Sequence, residues 1–185
     1  MANLINADPT AGLKLVSSSS SDIQIQSNGV TVCTINADGL SMNTGTLAGN
    51  GPAFSAYLSA SQAISAGTYV KIPFNTEEFD TNSNYDNATN YRFTPTIAGY
   101  YQISATANPS NGSTRSVIAM YKNGSEFKRG IDSSTALNII IVNSLVYANG
   151  STDYFEIYLY TTATGTNLGG GANNTYFSGF LARAA

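Results

Sequence analysis

The chain has 185 residues, of which 10% are charged, and a formal net charge of −3. This length allows one domain with a substantial core and a short appendage. Eight cations scattered along the chain do not form the basic cluster that nucleic-acid binding requires, so we expect no nucleic-acid partner. The sequence contains no histidine, which excludes Ser-His-Asp and Cys-His catalysis and His-ligated zinc.

Residues 1–50 contain three short segments in which apolar and polar residues alternate, the period of a half-buried strand. Three such strands cannot bury a core by themselves. We therefore expect an anchor that is either a trimeric stalk or an arm folded back on its own domain. Its apolar positions are Leu13, Leu15, Ile23, Ile25, Val30 and Val32.

The Asn50–Gly51–Pro52 sequence predicts a boundary between this region and a second domain, 51–185. Short strand-like segments separated by turn residues then recur to the end of the chain, which is typical of a β-sandwich or jelly-roll. No window has helical periodicity, and the longest aliphatic run, 139–142, is too short to span a bilayer. We expect an all-β protein that does not insert into membranes. The predicted strands are 53–59, 68–75, 91–94, 99–107, 114–121, 125–130, 136–147, 153–161 and 175–183.

Two of these strands indicate self-association. In segment 153–161 the aliphatic residues share one face, and Tyr154, Tyr158 and Tyr160 share the other, which would leave a tyrosine face outside the sandwich. Segment 136–147 is apolar on both faces, so Ile140 and Val142 are expected to be covered by another subunit, with a thick core as the alternative. Both patterns favour a homo-oligomer.

Several motifs in the second domain resemble the C1q-like domain, and they occur in the order in which that family has them. The resemblance covers residues 53–183 and implies a C1q/TNF-like jelly-roll that forms a homotrimer. The matching motifs are Ala53–Phe54–Ser55–Ala56, Phe93–Thr94–Pro95, Gly99–Tyr100–Tyr101, Tyr121–Lys122–Asn123–Gly124, Asp153–Tyr154–Phe155 and Tyr176–Phe177–Ser178–Gly179–Phe180–Leu181.

The chain also departs from the secreted animal members of that family, because no collagen-like Gly-X-Y tract precedes the domain. Segment 74–80 and the body rich in Ser, Thr and Asn look like versions carried by tailed bacteriophages. That resemblance implies a non-enzymatic virion surface protein, a small fibre or spike tip that binds a host surface or glycan. The alternative is a capsid decoration protein, and a more remote one is a polysaccharide depolymerase.

In either virion role, we expect the N-terminal region to bind other virion proteins. The N-terminus has no basic segment followed by an apolar run, so we expect no signal peptide. The expected location is the virion surface after synthesis in the host cytoplasm.

The candidate ligand sites are few. The carboxylates of Glu77, Glu78, Asp80 and Asp86 are best explained as a solvated loop, and as the alternative they could supply oxygen ligands to Ca²⁺, which some C1q-like trimers bind. No other cofactor is expected. For a receptor, the loops at one end of the sandwich are the candidates, because a rigid scaffold presents variable loops. Their possible contact residues are Tyr85, Tyr91 and Arg115.

Overall fold

The computed structural model describes residues 23–27, 30–36, 39–42, 51–110, 115–134 and 139–185. These residues form strands and turns. Among them there is no helix of the length and apolar character that a membrane crossing requires. The chain divides into two compact units, residues 1–50 and residues 51–185.

The first unit contains a three-stranded antiparallel sheet in the order β1-β2-β3. Within it the Cys33 side chain is buried like a small apolar residue, whereas Ile25 and Val30 are exposed. Leu13 and Leu15 lie outside the described residues, and only the backbone of Ile23 and Val32 is described. The predicted strands around residues 25 and 30 are confirmed, and the anchor role stays a prediction. The bounds are β1 (Ile23–Ser27), β2 (Val30–Asn36) and β3 (Gly39–Met42).

The second unit is a sandwich of two antiparallel sheets. One sheet has five strands in the order β13-β10-β16-β4-β7, and the other has six in the order β12-β11-β14-β9-β8, with β6 also paired to β14. The short strands β15 and β5 pair with each other. The bounds are β4 (Ala53–Tyr57), β5 (Gln62–Ile64), β6 (Tyr69–Lys71), β7 (Thr76–Asp80), β8 (Tyr85–Asp86), β9 (Arg92–Phe93), β10 (Ala98–Ala107), β11 (Ser116–Lys122), β12 (Ser125–Ser133), β13 (Ile140–Asn149), β14 (Phe155–Thr161), β15 (Thr166–Leu168) and β16 (Tyr176–Ala184).

Aromatic rings fill the space between the two sheets. Phe54 lies at the centre of this core, stacked on Tyr85 at 5.1 Å and on Phe93 at 4.3 Å, with Phe177 edge-on at 4.9 Å. Since β4 and β16 come from one sheet and β8 and β9 from the other, these contacts join the two layers. The predicted all-β jelly-roll is confirmed.

The core also corrects one expectation about the interface. Ile140 and Val142 are 0% and 1% exposed within a single chain, so they pack in its own core and cannot be covered by a second subunit. Strand β13 alternates strictly between core and surface, and its other face carries the exposed Ile141. For Ile140 and Val142 the structure confirms the alternative expectation, burial in a thick core of the same chain.

Tyr85 is a second correction, because its ring is buried and unavailable to a receptor. Its hydroxyl donates a hydrogen bond to the carbonyl oxygen of Phe74 at 3.0 Å, and burial raises its pKa. We expect Tyr85→Phe to lower the free energy of unfolding by about 1–2 kcal/mol, since a buried carbonyl loses its donor. Urea unfolding measures this, with Tyr91→Phe as the control that should change little. Equal stability of Tyr85→Phe and the wild type would contradict the hydrogen bond.

Candidate functional site

The outer face of the five-stranded sheet carries a cluster of large apolar side chains. The strand register brings Leu145 beside Gln102 and Gln102 beside Phe180, and it pairs Tyr147 with Tyr100 in the adjacent row. The rings of Tyr100 and Tyr147 meet edge to face at 5.7 Å. We call this cluster the exposed apolar face. Its members and their exposed fractions are Tyr100 43%, Leu145 56%, Tyr147 44% and Phe180 51%.

An open cavity of about 500 Å³ lies at one end of the exposed apolar face. It is lined by Tyr100, Leu145 and the four residues 182–185 at the end of β16. The exposed apolar face therefore includes a concave part. A protruding side chain from a partner could occupy this cavity.

The outer face of the six-stranded sheet has a different character. Because Ile118 and Met120 point into the core, the alternating residues Val117 and Ala119 face outward. Both are nevertheless fully buried, and their register partners on β14 are Tyr160 and Tyr158. Half-buried tyrosine rings from β6, β11 and β14 lie on this face. We call these rings the tyrosine layer: Tyr69, Tyr121, Tyr158 and Tyr160.

Each ring of the tyrosine layer contacts the next. Tyr158 stacks on Tyr121 with centroids 4.0 Å apart, Tyr121 lies 5.8 Å from Tyr69, and Tyr69 lies 5.3 Å from Tyr160. Burial, reinforced by the nearby Glu156 carboxylate, raises the pKa of Tyr158 to about 12. The Tyr158 phenol is therefore uncharged at neutral pH.

The charged side chains around the tyrosine layer are paired. Lys71 forms an ion pair with Glu156 under the layer. Arg115 donates two hydrogen bonds of 2.7 Å to the Asp132 carboxylate. At the same edge, Arg129 lies 2.7 Å from Glu126 and 3.5 Å from Asp132. Three cations and three anions thus balance one another around the rings.

The three tyrosines predicted at the interface lie on this outer face, where the alternation of β14 predicted them. Tyr158 and Tyr160 belong to the tyrosine layer, and the Tyr154 ring is covered by the Arg92 guanidinium at 4.3 Å. Their assignment to a subunit interface stays a prediction. Sequence reasoning did not identify the exposed apolar face, although the alternation of Leu145 and Tyr147 with Val146 in β13 was a usable signal.

The remaining receptor candidates do not lie together. Tyr91 precedes β9, whose Phe93 pairs with the first residue of β14, whereas Arg115 precedes Ser116, which pairs with the last residue of β14. Seven residues of strand separate the two ends, roughly 20 Å at about 3.3 Å per residue. A shared receptor site formed by Tyr91 and Arg115 at one end of the sandwich is therefore wrong.

Two of the candidate calcium ligands, Glu78 and Asp80, accept hydrogen bonds from other groups of the same chain. Asp80 accepts hydrogen bonds from the backbone N–H groups of Asn82 and Tyr85, and Glu78 accepts one from the Ser55 hydroxyl at 2.6 Å. In the part of the chain that the structure describes, no three His, Cys, Asp or Glu side chains are grouped as a metal site. Calcium binding at these residues stays a prediction.

Asp86 caps the turn after β8. Its carboxylate accepts the backbone N–H groups of Thr89, Ala88 and Asn90, and these bonds lower its pKa to about 2. An unfolded aspartate titrates near pH 3.9. The capping therefore stabilises the fold fully above about pH 4, and this contribution is lost as the pH falls towards 2.

We expect Asp86→Ala to lower the free energy of unfolding at pH 7 by about 1–2 kcal/mol, allowing for solvent screening. Chemical unfolding at pH 7 and pH 2.5 measures the difference between variant and wild type, which should shrink at the lower pH. Asp86→Asn keeps one acceptor oxygen and should lose less than Asp86→Ala. A difference that is unchanged at pH 2.5 would contradict the capping role.

Solved structures share this arrangement of sheets. The globular domain of zebrafish complement 1qA is 15% identical, with a TM-score of 0.53 over 72% of this chain and 99% of that chain. Murine APRIL at pH 8.0 is 9% identical, with a TM-score of 0.55 over 71% and 98%. PRD1 vertex protein P5 is 15% identical, with a TM-score of 0.55 over 74% and 100%. No curated protein sequence gives a significant match.

These likenesses define the second unit as a jelly-roll of the C1q/TNF class. The family profile of the C1q domain matches residues 53–182. The chain belongs to the C1q domain family. Trimers are typical of this family, and its domains are in general structural or ligand-binding rather than enzymatic.

Proposed function

We propose that this protein is a non-enzymatic, homotrimeric surface protein of a bacteriophage virion that binds the host surface. The observation that carries the proposal is the exposed apolar face on a C1q-family jelly-roll. A contiguous apolar patch on the surface of a protein usually marks an interface. In a family whose members are typically trimers, a second and third copy are its natural occupants.

The subunit interface is therefore formed by the five-stranded sheets of three chains. About half of each side chain in the exposed apolar face is still exposed and can be removed from water by association, and Leu145 and Phe180 are the most exposed. The tyrosine layer is the less suitable face for this role, because its rings are already half-buried against their own sheet. With the five-stranded sheets against one another, the six-stranded sheets face outward.

The virion location is supported by the fold that this chain shares with the PRD1 vertex protein. The N-terminal unit is the attachment region to other virion proteins, because its small sheet carries exposed Ile25 and Val30 that need a partner. A capsid decoration protein is the second candidate, since the PRD1 protein named above is a vertex protein.

Immunogold labelling of intact particles with an antibody against residues 53–185 tests the virion location. Label at the tail supports a host-binding role, and label over the head supports decoration. Particles from a phage in which the coding sequence is deleted are the control. Unlabelled wild-type particles, in a preparation whose lysate contains the protein, would overturn the proposal.

A further inference from the structure

We propose that the tyrosine layer is a binding surface for a neutral polysaccharide chain. The inference deepens the proposed host-surface binding and rests on it for the biological source of the glycan. The physical case for the site itself rests only on the six-stranded sheet.

The rings of the tyrosine layer form one continuous surface. Val117 and Ala119, the outward residues of β11, are buried, and their register partners on β14 are Tyr160 and Tyr158. Adjacent rings are inclined to one another, by 27° between Tyr121 and Tyr158, 59° between Tyr121 and Tyr69, and 45° between Tyr69 and Tyr160. The result is a closely packed cluster of half-buried aromatic rings on the outer face of the sheet.

The charges that border the tyrosine layer are matched in pairs. Lys71, Arg115 and Arg129 each lie within ion-pair distance of a carboxylate, so these three cations are balanced by Glu156, Asp132 and Glu126. A polyanion would have to displace these carboxylates, and a polycation would have to displace the cations. A neutral ligand needs neither exchange.

The tyrosine rings and the neighbouring arginines can contact both kinds of group that a sugar presents. A pyranose presents C–H groups on its faces and hydroxyl groups around its rim. The first fit the faces of aromatic rings, and the second fit phenol hydroxyls and guanidinium N–H groups. Tyr69 and Tyr121 supply the rings, with Arg129 beside them, and the Arg115 guanidinium lies over the Tyr160 ring at 5.7 Å.

The tyrosine layer offers several rings close together. Consecutive centroids of the four rings are 4.0, 5.8 and 5.3 Å apart, so more than one ring is within reach of neighbouring sugars of one chain. A polysaccharide presents a similar sugar at each position, and contact with several rings adds affinity with each sugar. A protein partner fits this surface less well, because interfaces between proteins use protruding anchors, which here lie on the exposed apolar face instead.

The experiment uses the full-length protein and four neutral polysaccharides: dextran, mannan, galactan and a β-glucan. Alginate is included as a polyanion. Binding is measured by retardation in gels that contain each polymer and by protein fluorescence. Since the chain has 12 tyrosines and no tryptophan, the emission reports on tyrosines alone. We expect at least one neutral polymer to bind, with affinity rising with chain length, and alginate not to bind.

Tyr121→Ala and Tyr158→Ala are expected to weaken binding at least tenfold. Tyr121→Phe and Tyr158→Phe keep the rings and should remain within about threefold of the wild type. Tyr154→Ala is the matched control, because Tyr154 lies immediately before β14 and its ring is already covered by Arg92; this variant should bind as the wild type does. If an alanine variant does not fold, ring-proton NMR of the tyrosine-labelled wild type replaces it, with shifts expected in the tyrosine layer.

Failure of all four neutral polymers to bind would overturn the inference, as would binding of alginate alone. Equal binding by Tyr121→Ala and the wild type, or NMR shifts confined to other tyrosines, would also overturn it. These results are independent of the immunogold labelling. A labelled virion with no glycan binding leaves the proposed function standing, and glycan binding with no label leaves the surface standing.

Discussion

Replacing Leu145 by lysine is expected to convert the trimer into monomers. Leu145 is the most exposed member of the exposed apolar face. Its cross-strand partner on β10 is Gln102, and Tyr147 follows it on the same face of β13. In the proposed trimer the ammonium group would be buried without a partner, at a cost of several kcal/mol for each of the three copies. Light scattering coupled to size exclusion should give a mass of one 19.4 kDa chain for the variant and of three for the wild type.

Two further substitutions decide which sheet carries the interface. Ile131→Lys changes an exposed apolar residue of β12, outside the exposed apolar face, and should leave a trimer. Tyr158→Lys tests the assignment that the alternation of β14 suggested, and it should also leave a trimer. A trimeric Leu145→Lys together with a monomeric Tyr158→Lys would move the interface to the tyrosine layer.

Replacing Asp153 by alanine is expected to lower the free energy of unfolding by about 3 kcal/mol. The buried Asp153 carboxylate joins the turn of the β11–β12 hairpin to the connection between β13 and β14 at one corner of the sandwich. It accepts hydrogen bonds from Asn123 Nδ2 at 2.8 Å and from the backbone N–H of Asn149 at 3.0 Å, and Lys122 Nζ lies 2.8 Å away. Without the carboxylate, the largely buried Lys122 loses its counter-charge and the Asn123 amide and Asn149 N–H lose their acceptor. Urea unfolding at pH 7 measures the loss.

The same carboxylate sets a pH dependence. Burial raises the pKa of Asp153, but the hydrogen bonds from Asn123 and Lys122 outweigh burial, and the pKa lies below its ordinary value. Its stabilisation is therefore present above the pKa of an unfolded aspartate, near 3.9, and is lost as the pH falls through the lower folded value.

Asp132→Ala is the control for this corner, because it removes an exposed carboxylate with two arginine partners. Exposed ion pairs contribute little to stability, so its unfolding curve should lie close to that of the wild type. Similar curves for Asp153→Ala and Asp132→Ala would contradict the structural role of the corner.

The sequence predicted the long strands well because their alternation and their turn residues agree. Strand β14 is the clearest case, since its aliphatic residues face the core and its tyrosines face outward. The short strands β5, β8 and β15 and the five-residue strand β7 were not predicted. They exist through pairing with distant segments, as in Thr166 with Ile64, and no local period marks them.

The candidate site was predicted less well than the fold. The run 139–142 is apolar at every position, so its period gives no phase, and Ile140 and Val142 were assigned to the wrong face. Tyr85 was assigned to a receptor loop because it sits among Asn and Asp residues. Its burial comes from the Phe54 ring, which is 31 residues away in sequence and adjacent only in the fold.

The position of β4 determines how the domain responds to mechanical tension. The chain enters the jelly-roll at Ala53, and β4 is hydrogen-bonded along both edges, to β16 and to β7. A pull that arrives through Gly51 and runs along β4 loads both ladders in shear, so their hydrogen bonds share the force and do not open one after another. We therefore expect the domain to resist unfolding when force is applied between Gly51 and the opposite end of the sandwich.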